Sequence, residues 1–176
     1  MICVQSRVHV GGASDLTDYQ NLTDAAIIHV LTVDSEEPEV HGSFQGNFFY
    51  VLDESSSDLL SILDDCIQFI TEALATTPAA VLVHCHAGVS RSAAVVTAFM
   101  MKTHSLNLSD AYAKLQNIKP DVKLPFKLRS EIGNLGVILL VKTYFFIGPK
   151  LWNRLPVSVR EVPAVAVFKT QLKTFF

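Results

Sequence analysis

Cysteine is scarce in this chain: three residues, Cys3, Cys66 and Cys85, spread over 176 positions. A disulfide framework needs a denser set, so a secreted, disulfide-stapled fold is not expected, and a reducing compartment, cytosol or nucleus, is the default. Long apolar runs are lacking too. The most apolar late stretch, GVILLVKTYFFIG (Gly136–Gly148), is interrupted by Lys142 and falls short of the roughly 20 residues that span a bilayer. No basic leader precedes an apolar core in MICVQSRVHV, so neither a secretory signal nor a membrane partner is expected. Basic runs are missing and the net charge is −3, so nucleic acid is not an evident partner. No repeat or low-complexity tract is visible, and 49% apolar with 18% charged residues is the composition of a globular domain.

What is present is an alternation of strand-like and helix-like segments. Arg7–Val10 is a short strand candidate closed by Gly11-Gly12, Asp15–Ala26 reads as helix, and Ile27–Val33 as a buried strand. Ser35–Pro38 is a turn or loop and Asn47–Leu52 the next strand. From an N-cap at Asp58, Leu59, Leu60, Leu63, Cys66, Ile67, Ile70 and Leu74 follow helical spacing until Thr76-Thr77-Pro78. Ala79–Val83 suits a central strand, Ala93–Met101 a helix buried all round, and a shorter helix starts at Ser109 or Asp110 and ends at Ile118 before Pro120. Strands separated by helices predict an α/β fold with a mostly parallel sheet flanked by helices. Past Pro120 the alternation fades and prolines recur at 125, 149, 156 and 163, which places a boundary near residue 122.

Chemistry concentrates in VLVHCHAGVSRS, Val81–Ser92. The strand delivers Cys85 to its end, and a helix begins about Ser90 and Arg91. Residues 86–91 can curl with their N–H groups inward, Gly88 permitting a positive φ, so that the loop is an anion cradle at a helix N-terminus. The same dipoles favour the thiolate of Cys85. Arg91 can fork two N–H donors onto phosphate oxygens. The competing roles fit poorly. Neither Cys3 nor Cys66 is an obvious disulfide partner, and adjacent His84, Cys85 and His86 on an extended chain face opposite sides with no second Cys/His pair to complete a metal site. For Cys66, an inert buried thiol is expected.

HCHAGVSRS resembles the HCxxGxxR[ST] signature of cysteine-dependent protein phosphatases, most closely the dual-specificity group. Segments GGA (11–13), VLTVDSEEP (30–38), TAFMMKT (97–103) and AYAKLQ…KP (111–120) extend the resemblance over residues 7–122. It implies a phosphorylated protein as substrate, no cofactor and no metal. Cys85 would attack phosphorus to give a phosphocysteine that water hydrolyses. His86, Ala87, Gly88, Val89, Ser90 and Arg91 would hold the phosphoryl oxygens, Ser92 would hydrogen-bond the departing thiolate, and His84 would orient the loop and promote ionisation of the thiol. The leaving oxygen needs a proton from a carboxylic acid. Asp53, Glu54, Asp58, Asp64 and Asp65 precede Cys85; Asp64 and Asp65 fall inside a helix and Asp58 is its cap. Asp53, just past NFFYVL, matches the family's general acid in position, with Glu54 and Asp58 as alternatives. The loop contains no lysine, which favours a phosphorylated side chain, tyrosine or serine/threonine, over a polyanionic head group.

After Pro120 the family pattern departs. The resemblance implies a closing helix, which the sequence of 123–176 does not repeat, so part of the core could lie open. No cysteine follows Cys85, so a cysteine-rich zinc-binding module of the kind some relatives carry is not expected here. The end, GPKLWNRLPVSVREVPAVAVFKTQLKTFF (148–176), resembles the terminal segment of retrotransposon reverse transcriptases. A second reading follows from that tail: a phosphoprotein-binding module that keeps the loop without turnover.

Overall fold

The computed structural model describes residues 1–39, 44–54, 57–75 and 78–133. Its centre is a five-stranded sheet in the order β1-β2-β5-β3-β4, formed by β1 (Ile2–Gln5), β2 (Val8–Gly12), β3 (Ile27–Asp34), β4 (Gln45–Tyr50) and β5 (Ala80–Cys85). Only β1 and β2 pair antiparallel; the other three pairings are parallel, as the alternation predicts. β5 is buried along its whole length, which explains its apolar run Ala80–Val83. β1 was not expected from the sequence. It turns into β2 through Arg7, which sits at φ 63° and donates to the carbonyls of Leu74 and Ala79.

The helix expected over Asp15–Ala26 is two short pieces, a 3-10 turn (Ala13–Thr17) and α1 (Tyr19–Asp24). Asp18 divides them because its carboxylate accepts the Asn21 N–H, and a side chain that caps a helix cannot also sit in its interior. α2 (Leu60–Ala75) buries Leu63, Cys66, Ile67 and Ile70 as the spacing predicts, and Ala73 in addition, whereas the predicted Leu60 and Leu74 are only half-buried. Asp58 accepts the Ser61 N–H as its cap. The stop signal placed on Thr76-Thr77 lies outside the described residues. α3 (Arg91–His104) is buried from Arg91 through Met101 because it lies between the sheet and the neighbouring helices α2 and α4. α4 (Leu108–Ile118) starts from Asn107, whose side chain accepts the Asp110 N–H, slightly before the predicted start.

Packing does not end where the composition changes. Val122, Leu124, Leu128 and Ile132 are all buried, and residues 126–133 are helical. Pro125 punctuates the backbone just before this turn without removing the apolar i, i+4 pair Leu128–Ile132 from the core. A closing helical segment is therefore present among the described residues, past the boundary expected near residue 122. The reverse-transcriptase-like tail, 148–176, lies outside the described residues.

Candidate active site

The parallel register places the ends of β2, β3 and β5 side by side, with Cys85 opposite Gly12 and His84 opposite Thr32. Such carboxyl-end crevices are where open α/β sheets hold ligands. From Cys85 the chain makes one loop, 86–90, and enters α3 at Arg91. Gly88 turns it at φ 71°, and a Cβ there would stand 2.5 Å from the Gly11 carbonyl carbon and oxygen. Position 88 thus needs glycine for its dihedral and for its contact with β2.

Two loop carbonyls are engaged on outside partners: Ala13 N–H donates to His86 O (3.0 Å) and Lys123 N–H to Val89 O (2.9 Å). Tethering these oxygens to other segments leaves the loop's interior to its amides. Ser90, the N-cap of α3, makes no capping bond; its hydroxyl donates instead to Asp53 Oδ1 at 3.2 Å. The first-turn amides of α3 thus have no side-chain acceptor from their own cap, and a helix start in that condition attracts an anion.

The sequence-predicted residues converge here. Cys85 is buried at the bottom, its Sγ 3.2 Å from Ser92 Oγ. His84 lies beneath the loop with Nε2 2.7 Å from Thr32 Oγ1. Burial lowers the His84 pKa, only partly offset by the Cys85 backbone, Asp34 and Asp15. Nδ1 makes no hydrogen bond of ordinary geometry, although the adjacent backbone favours the protonated ring. The ring is therefore neutral near pH 7 and serves as a dipolar support. Cys66, by contrast, has its thiol pushed up to about 12, first by burial and then by Asp65. It is the inert cysteine the sequence predicts.

Arg91 is divided in use. Its Nη1 donates to Asp34 Oδ1 and to Val51 O, both at 2.8 Å. Its Nη2 lies 3.8 Å from Asp53 Oδ2, and Nε is buried without a partner among the described residues. Nε and Nη2 form the edge of the guanidinium that fits two oxygens of a phosphoryl group. Asp53 stands at the mouth, half exposed, touching both Ser90 and Arg91. The alternatives are placed otherwise: Asp58 is committed to its cap, and Asp64 pairs with Lys102 on the surface at 3.5 Å. Glu54 is in the same loop, where its carbonyl accepts the Ser57 N–H. His86 and Ala87 are exposed at the rim, and Val89 is half-buried.

Sequence reasoning missed Thr32, Asp34 and the Gly11-Gly12 backing. Thr32 and Asp34 are polar at alternate positions near the end of a mostly apolar strand, a signal that becomes meaningful only once β3 is known to lie beside β5. Among the described residues, no three or more His, Cys, Asp or Glu are grouped to hold a metal ion, and no helix is long and apolar enough to cross a membrane.

Residues 8–134 match the family described as dual specificity phosphatase, catalytic domain. Dual specificity protein phosphatase 12 of Homo sapiens is 47% identical over 133 residues, covering 70% of this chain and 38% of that protein. Dual specificity protein phosphatase Mpk3 of Drosophila melanogaster is 37% identical over 129 residues, covering 70% of this chain and 30% of that one. The chain thus spans well under half the length of these curated relatives. Among solved structures, the human tyrosine phosphatase-like serine/threonine/tyrosine-interacting protein aligns with a TM-score of 0.76 at 22% identity, over 80% of this chain and 97% of that one. Human DUSP28 aligns at 0.74 and 24%, over 79% and 94%; at such identities these two speak for the fold. The likeness to dual specificity protein phosphatase 12 agrees with the segments GGA, VLTVDSEEP and AYAKLQ noted in the sequence. With the phosphate loop, its arginine and the surrounding sheet in place, the chain belongs to the dual specificity phosphatase catalytic domain family.

Proposed function

We propose that this chain hydrolyses phosphotyrosine and phosphoserine or phosphothreonine in proteins through a phosphocysteine. The carrying observation is a buried thiol at the end of β5 and, one loop further on, an arginine with one nitrogen locked and a second, Nε, buried without a partner among the described residues. In the first step the Cys85 thiolate attacks phosphorus: the S–P bond forms, the P–O bond to the side chain breaks, and Asp53 gives its proton to the departing oxygen. In the second step water attacks phosphorus and passes a proton to Asp53 while the S–P bond breaks. Ser92 Oγ, 3.2 Å away, donates to the departing thiolate. Arg91 and the amides of 86–91 hold the equatorial oxygens throughout, positioning and neutralising charge rather than making bonds. His84, held by Thr32, keeps the loop's first residue in place.

The exposed rim residues His86 and Ala87 and the half-exposed Asp53 make an open mouth, which supports acceptance of both long and short phosphorylated side chains. The need of Cys85 for a free thiol supports the cytosol or nucleus as its place of action. The test is phosphate release from p-nitrophenyl phosphate and from phosphotyrosine and phosphothreonine peptides. Wild type turns over all three and Cys85→Ser none. Turnover that persists in Cys85→Ser refutes the phosphocysteine, and turnover absent from wild type leaves the binding module in its place.

A further inference from the structure

We propose that Asp34 is a positioning residue that fixes the phosphate-binding edge of Arg91, and that its charge biases the cradle against ligands with more than one phosphate. The inference rests on the phosphatase reading and concerns a residue outside the signature loop.

The geometry is closed on three sides. Asp34 is buried at the end of β3, and its Oδ1 accepts from Arg91 Nη1 at 2.8 Å, from Ser35 N–H at 2.7 Å and from Ser35 Oγ at 3.4 Å. Val51 O accepts from the same Nη1 at 2.8 Å, and Val51 N–H returns to Asp34 O at 2.9 Å. Both hydrogens of Nη1 are therefore consumed by groups that hold one another. A planar guanidinium with one corner fixed twice has no freedom about its long axis, so Nε and Nη2 can present only one edge. Ordering the arginine before substrate arrives spares the entropy of ordering it during the reaction.

The charge consequence is separate. Arg91 is the only cation that residues 86–91 supply, and two carboxylates flank it, Asp34 at 2.8 Å and Asp53 at 3.8 Å. One phosphoryl group is held by direct donors, so the nearby negative charge costs it little that those bonds do not return. Additional phosphates on the same ligand meet the Asp34 field without matching donors in the loop.

The test compares wild type, Asp34→Asn and Asp34→Ala on p-nitrophenyl phosphate, with inorganic phosphate and inositol hexakisphosphate as competitive inhibitors. Asparagine keeps the acceptor at Oδ1 and removes the charge. It is expected to tighten inositol hexakisphosphate about fivefold more than inorganic phosphate, an effect that fades with added salt. Alanine frees Arg91, and kcat/KM falls about 100-fold with most of the loss in kcat. An unchanged ratio of the two inhibition constants in Asp34→Asn, or an Asp34→Ala enzyme equal to wild type, overturns the proposal. So does failure of both variants to melt cooperatively, which would reduce Asp34 to a folding residue. Should Asp34→Ala alone not fold, the inhibitor ratio in Asp34→Asn decides. Because wild-type activity and the inactivity of Cys85→Ser are measured alongside, failure of the phosphatase reading is seen separately.

Discussion

Replacing Gly88 with alanine should damage turnover more than stability. The backbone at 88 has φ 71°, a region that costs a residue with a Cβ about 1–2 kcal/mol. The added carbon would also meet Gly11 C and O at 2.5 Å and Gly12 N at 2.7 Å, and all three are backbone atoms of a central strand that cannot swing aside. The loop must yield instead, and with the dihedral strain the sum is about 3 kcal/mol, within the usual range for a mutation that breaks a special backbone position. For a domain of this size that lowers Tm by about 10 °C. The same movement shifts Cys85 relative to Arg91 and the α3 amides, and misplacement of reacting groups by about 1 Å costs roughly 100-fold in rate. Thermal melting and kcat/KM on p-nitrophenyl phosphate measure the two effects. Gly46→Ala is the control, since its nearest neighbour, Val30 O, is 3.9 Å away; both quantities should stay near wild type. A Gly88→Ala protein with wild-type kcat/KM would refute the claim that contact between the loop and β2 sets the site's geometry.

Three further outcomes can be checked. Asp53→Asn should lower kcat by about 100-fold or more while leaving binding of inorganic phosphate within a few-fold, because the proton donor is lost and the cradle is kept; equal kcat across aryl and alkyl phosphates would contradict that role. His84, whose pKa lies below its unfolded value of 6.5, takes up a proton on unfolding between those two values. Its contribution to stability is full above pH 6.5 and declines as pH falls below it, so Tm of wild type should drop over that window and Tm of His84→Asn should drop less. Lys102→Ala should cost under about 1 kcal/mol in denaturant unfolding, since its pairing with Asp64 is half exposed on both sides.

The fold class and most of the site were legible because their signals are local. HCHAGVSRS states its strand end, turn, thiol and arginine in one stretch, and α2 announces itself by a 3.6-residue stripe. What stayed hidden depends on neighbours far along the chain. Asp34 and Thr32 acquire a role only through the parallel pairing of β3 with β5, fifty residues away in sequence. β1 is a four-residue edge strand that pairs on one side only, too short to carry a pattern of its own. The single helix expected over 15–26 failed because Asp18 competes for backbone N–H groups, a choice periodicity does not register.

One bond carries a consequence for how this protein can vary. Lys123 N–H holds Val89 O from beyond the boundary that composition suggests near residue 122, inside the stretch 8–134 that matches the family, and Lys127 Nζ donates to Ser57 O in the loop that follows Asp53. The stretch just past Pro120 is thus the rear wall of both working loops. A transcript, a protease or an expression clone that ends the chain at 122 would keep every residue of the signature and still unmoor the two loops that the chemistry needs.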